Sequence, residues 1–150
     1  MIRRLKNLGA NIVDLLDVYY KQVRSVLELA VPVWHPGLTQ QERDQIERVQ
    51  KCALHIVLGE SYGGYKNALK TLNCETLNTR REKLCEKFAR KAEKSPRFSN
   101  WFTLNTRQPP TVNTRQNMKT QTKYLPVQTR TNRFKNSPVP YLTDILNNMK

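Results

Sequence analysis

Ile12, Leu15, Leu16, Tyr19, Val23, Val26, Leu27 and Ala30 recur at steps of three and four over nineteen residues. That spacing puts one apolar stripe on a long helix, the strongest periodic signal in the chain. Pro32 ends it, because a proline pushes the residue before it out of the α region. Upstream, Arg3 to Leu8 reads as a short helix closed by Gly9 in a left-handed C′ conformation. Trp34-His35-Pro36-Gly37 follows as a turn in which Trp34 is the apolar anchor and His35 is dispensable. Thr39-Gln40-Gln41-Glu42 is a capping box, and Ile46, Val49, Ala53, Ile56 and Val57 stripe a second long helix that Gly59 stops. Tyr65 to Leu72 gives a short helix, and Thr76 caps a last one lined by Leu77, Leu84, Cys85, Phe88, Ala89 and Ala92. Pro96 closes it, and Phe98, Trp101 and Phe102 dock back onto the bundle.

The pattern then breaks. From Thr103 to Pro140, 29 of 38 residues are Thr, Asn, Gln, Pro, Lys or Arg, and the apolar residues stand singly with no period. Such a stretch buries too little surface to offset chain entropy. Pro140 to Leu146 makes two helical turns with Leu142, Ile145 and Leu146 on one side. The expectation is an all-α chain: a small helical bundle over residues 1–102, then a disordered basic tail over 103–150 ending in a short amphipathic segment.

Charge adds a partner. The 150 residues hold 26 Lys and Arg against 12 Asp and Glu, a net of +14, and residues 94–150 alone carry +9. A polyanion suits this balance, since each cation placed on a phosphate releases a counterion. The candidate contacts are Arg80, Arg81, Lys83, Lys87, Arg90 and Lys91 on the last helix, and Arg130, Arg133 and Lys135 in the tail. About half of the helix set is expected to be a solvated face instead, with Glu86–Arg90 at i,i+4 spacing. Mean hydropathy is −0.69, and no apolar run approaches the ~20 residues of a membrane helix. Three cysteines without CxxC spacing suit a reducing compartment. These features predict an intracellular protein, nuclear or cytoplasmic.

Candidate chemistry is sparse. Cys52 and His55 stand at i and i+3, but Cys74, Cys85 and His35 offer no second pair toward the four ligands of zinc. Asp14 and Asp17 lack a third acid for a magnesium site, and no third group orients a Cys–His pair. Tyr19, Tyr20, Tyr62, Tyr65 and Trp34 are base-stacking candidates, but on apolar stripes such rings are more often core. No catalytic residue, metal or cofactor is assigned.

Residues 17–39, from Asp17-Val18-Tyr19-Tyr20 through Val23-Arg24-Ser25-Val26-Leu27-Glu28 to Pro32-Val33-Trp34-His35-Pro36, carry a resemblance. So do Ile46-Glu47-Arg48-Val49-Gln50-Lys51 with Leu58-Gly59, and Tyr65, Ala68, Leu69, Leu72, Leu77, Arg80, Arg81, Leu84, Lys87, Phe88, Ala89 and Lys91. Together with the tail from Thr129 to Leu142, these resemble the C-terminal part of reverse transcriptases from non-LTR, jockey-like LINE retrotransposons. The resemblance implies a thumb and post-thumb region that grips template and primer, with RNA or an RNA–DNA hybrid and the rest of the polymerase as partners. The family's polymerase chemistry needs palm aspartates in an Asp-Asp pair, and no such pair occurs here. The expectation is therefore a non-catalytic fragment of an RNA-directed DNA polymerase. Its rivals are a protein-interaction module and a retroelement relic without function.

Overall fold

A computed structural model describes residues 1–106 and 122–149. In chain order it has α1 (Ile2–Asn7), α2 (Ile12–Val18), a π-helical stretch (Tyr19–Arg24), α3 (Ser25–Leu27), α4 (Val31–Trp34) and a 3-10 turn (His35–Gly37). Then come α5 (Gln40–Leu58), a 3-10 turn (Gly59–Ser61), α6 (Tyr65–Thr71), α7 (Leu77–Glu93), a 3-10 segment (Pro96–Trp101), α8 (Asn132–Lys135) and α9 (Pro138–Asn148). The described residues hold no strand, only an isolated antiparallel bridge between Leu104 and Tyr124. The fold is all-α.

Two compact units divide the chain: Met1–Val31 with Leu38–Lys83, and Pro32–Gly37 with Leu84–Lys150. Residues 84–102 thus group with the C-terminal segment rather than with the helices that precede them. In the first unit, Ile2, Leu15, Tyr19, Ala53 and Val57 form one core cluster and Leu54, Leu58 and Ala68 a second, with Leu16 and Leu72 packed against both. The expected ends hold at α1. Gly9 takes φ +86°, its amide donates to Lys6 O at 3.0 Å and the Ala10 amide to Leu5 O at 3.1 Å, a full Schellman closure. Asn73, at φ +48°, closes α6 in the same way through Cys74 N–H to Leu69 O at 2.8 Å. The capping box forms as read: Thr39 N–H donates to Glu42 Oε2 at 2.8 Å, and Glu42 N–H to Thr39 Oγ1 at 3.3 Å.

Two stripes depart from the reading. The helix from Ile12 does not run on as α: the π stretch widens the turn over Tyr19–Arg24 and rotates the residues C-terminal to it. Val26 therefore stands 68% exposed although it fits the 3.6 period. On α5 the buried face is Gln50, Ala53, Leu54, Val57 and Leu58, while Val49 stays 40% exposed. The turn after α4 also reverses its expected roles. His35 is buried, with its ring edge-on to Tyr141 at 6.0 Å, and Trp34 is only half-buried.

In the second unit, Phe98 packs edge-on to Phe88 of α7 at 5.8 Å and to Trp101 at 4.8 Å. Of the expected tail, Tyr124 is 5% exposed and its ring lies 5.7 Å from Phe102. The Asn147 side chain holds both Tyr124 backbone groups, accepting from N–H at 2.8 Å and donating to O at 3.1 Å. Helix α9 begins at Pro138, earlier than expected, and buries Pro140, Leu142, Thr143 and Leu146. Single apolar residues suffice because their partners lie far off in sequence, where local composition cannot register them. Residues 107–121 of the expected tail lie outside the described residues.

Candidate nucleic-acid interface

Helix α7 carries most of the candidate contacts, and its start is fixed by a partly buried polar network. Glu47, on α5, accepts from the Leu77 and Asn78 amides at 3.2 Å each, so a carboxylate sits on the first turn of α7. Tyr65 Oη donates to the same carboxylate. Gln50 ties the network to the core: its Oε1 accepts from Tyr19 Oη at 2.7 Å, and its Nε2 donates to Tyr65 Oη at 3.0 Å and Glu75 O at 2.8 Å. Burial pushes the Tyr19 and Tyr65 hydroxyls far above the ordinary phenol range, with the Glu47 bond raising Tyr65 further. Both stay neutral donors. Tyr20, bonded to Cys74 Sγ at 2.7 Å, is pushed up to about 12, by burial first and then by that bond.

The helix contacts separate into two groups. Arg81 lies on the buried stripe at 1% exposure, four residues after Leu77 and four before Cys85; it is withdrawn from any phosphate. Arg80 is held as a fork on Glu28, with Nε 2.5 Å from Oε1 and Nη2 3.0 Å from Oε2. That carboxylate raises its pKa above the ordinary arginine value. Lys83 pairs with Glu75. Lys87, Arg90 and Lys91 are exposed, as is Lys94 one step beyond the helix end. At 100° per residue these four share the face opposite Cys85, Ala89 and Ala92. Glu93 does not neutralise that face. It accepts from Tyr124 Oη at 2.6 Å and pairs with Lys123 at 2.5 Å, contacts that hold its carboxyl below the usual range, Lys123 first. Arg130, Arg133 and Lys135 are likewise exposed.

His55 packs edge-on to Tyr62 at 4.8 Å beside an exposed Cys52. Asp17 pairs with Lys21 at 2.5 Å, and the Asp14 amide donates to the Asn11 cap at 2.8 Å. Among the described residues no three His, Cys, Asp or Glu side chains converge as metal ligands, and no helix is long and apolar enough to cross a membrane. Sequence reasoning missed Glu47 and Gln50. A glutamine at a stripe position, three before Ala53 and four before Leu54, was the available signal. Compared with family models, curated proteins and solved structures, the chain matches none of them.

Proposed function

We propose that this chain is a non-catalytic helical part of a non-LTR retrotransposon reverse transcriptase that contacts nucleic acid through phosphates. The observation that carries the reading is the exposed face of Lys87, Arg90, Lys91 and Lys94, in a unit whose residues 84–150 hold 13 Lys and Arg against 3 Asp and Glu. Helix-borne cations of this kind bind phosphate irrespective of base, so the contact is tolerant of sequence. The resemblance supplies the family; the missing Asp-Asp pair supports a contact role over polymerisation.

The buried and exposed arginines provide the test. Joint replacement of Lys87, Arg90 and Lys91 by Glu lowers affinity for an RNA–DNA hybrid by roughly tenfold or more and flattens the salt slope by about three. Arg81→Ala lowers the unfolding midpoint but leaves the affinity of the folded protein within about twofold. Anisotropy titrations beside urea unfolding curves check both. Equal loss of affinity in the two variants removes the proposed face.

A further inference from the structure

Phe134 is the one exposed Phe, Tyr or Trp among the described residues, at 45% exposure. It stands between Arg133 and Lys135 and four residues after Arg130, all three exposed. Its position is held from both sides. Thr131 Oγ1 accepts from the Phe134 amide at 3.2 Å, Thr131 O from Lys135 N–H at 3.0 Å, and Phe134 O from Ser137 N–H at 3.0 Å. The turn at α8 therefore carries an exposed ring in a six-residue stretch, 130–135, that also holds three exposed cations, on a backbone that is already ordered, which lowers the entropy lost on binding.

We propose that Phe134 is a stacking platform for an unpaired base, with Arg130, Arg133 and Lys135 on the flanking phosphates, so that this corner takes single-stranded rather than duplex nucleic acid. The proposal rests on the nucleic-acid reading above and adds a strand preference to it. Every base has a π face but exposes it only when unstacked, so an aromatic among cations selects single strands without reading sequence. A blunt duplex offers the same phosphates and no free base. The competing occupant is a second copy of this chain, seating Phe134 in the groove lined by Glu86, Tyr141, Asp144 and Ile145. Two carboxylates there attract cations, but two bodies of net +14 repel one another, and a polyanion meets no such barrier.

The experiment uses the full chain with fluorescein-labelled 12-mer oligouridine and a blunt 12-bp RNA–DNA hybrid of the same length, read by anisotropy at fixed salt. Phe134→Ala weakens oligouridine binding by about tenfold and hybrid binding by less than about twofold. Phe134→Trp keeps or improves the oligouridine affinity, with unfolding curves of both variants unchanged. Equal losses on the two ligands, or no loss on oligouridine in Phe134→Ala when the wild-type protein binds it, overturn the platform. So does a wild-type dimer in sedimentation that Phe134→Ala converts to monomer. A wild-type chain that binds neither ligand overturns the function proposed above, a distinct failure.

Discussion

Gln50→Leu lowers unfolding stability by about 3 kcal/mol, a large share of the ~5–15 kcal/mol of a domain. The substitution keeps the size of the side chain and removes every hydrogen bond it makes. Tyr19 Oη, on a residue 1% exposed, loses its acceptor, and Glu75 O and Tyr65 Oη lose the amide donor. Leaving a buried polar group unpaired costs about 1–3 kcal/mol each, more than the bond contributes when made. The double variant Gln50→Leu with Tyr19→Phe removes both ends of one bond and regains part of the loss. Val49→Ala, one residue earlier at 40% exposure, stays within about 0.5 kcal/mol. Urea midpoints read by far-UV circular dichroism give all three values. A larger effect at Val49 than at Gln50 would return the α5 core to the face predicted by hydrophobic spacing.

Gly59→Ala is expected to cost about 2–3 kcal/mol. Gly59 holds φ +58° and ψ −122° where α5 ends, a region closed to residues with a Cβ. An added Cβ also meets Lys6, clashing with Nζ and standing 3.3 Å from Cε. The lysine tip can swing aside, but it then leaves the carbonyls of Ile56 and Val57, to which Nζ donates at 2.5 and 3.3 Å. Those carbonyls belong to the last turn of α5, where a cation also suits the helix dipole. Gly63→Ala is the control: its nearest neighbour is Asn67 Nδ2 at 3.5 Å and its φ is not positive, so the change is near neutral. Thermal unfolding of the pair measures the difference, and equal midpoints would remove the strain argument.

What the sequence made legible was punctuation. Gly9, the Thr39–Glu42 box, Gly59 and Pro96 mark helix ends through local chemistry, and each end falls where that chemistry puts it. Faces were less legible. The π stretch at Tyr19–Arg24 shifts the register by an amount no apolar spacing records. Polar letters also hid the core: Gln50 and Arg81 occupy stripe positions, and His35 is buried where Trp34 was expected to be. For the candidate site, residue type alone could not separate Arg81 on the inner face of α7 from Lys87, Arg90 and Lys91 on the outer one. Nor could it show Glu28 occupying Arg80. Long-range partners such as Phe102 and Asn147 likewise order Tyr124 with no trace in its local sequence.

The proposed hold on nucleic acid runs through phosphates, and its salt dependence measures that contact. Anisotropy titration of the full chain with an RNA–DNA hybrid at several salt concentrations gives the slope of log affinity against log salt. Engagement of six to ten phosphates predicts a fall of roughly a thousandfold or more between 50 and 200 mM. A flat response, with binding unchanged across that range, would contradict the account and favour an apolar protein interface instead.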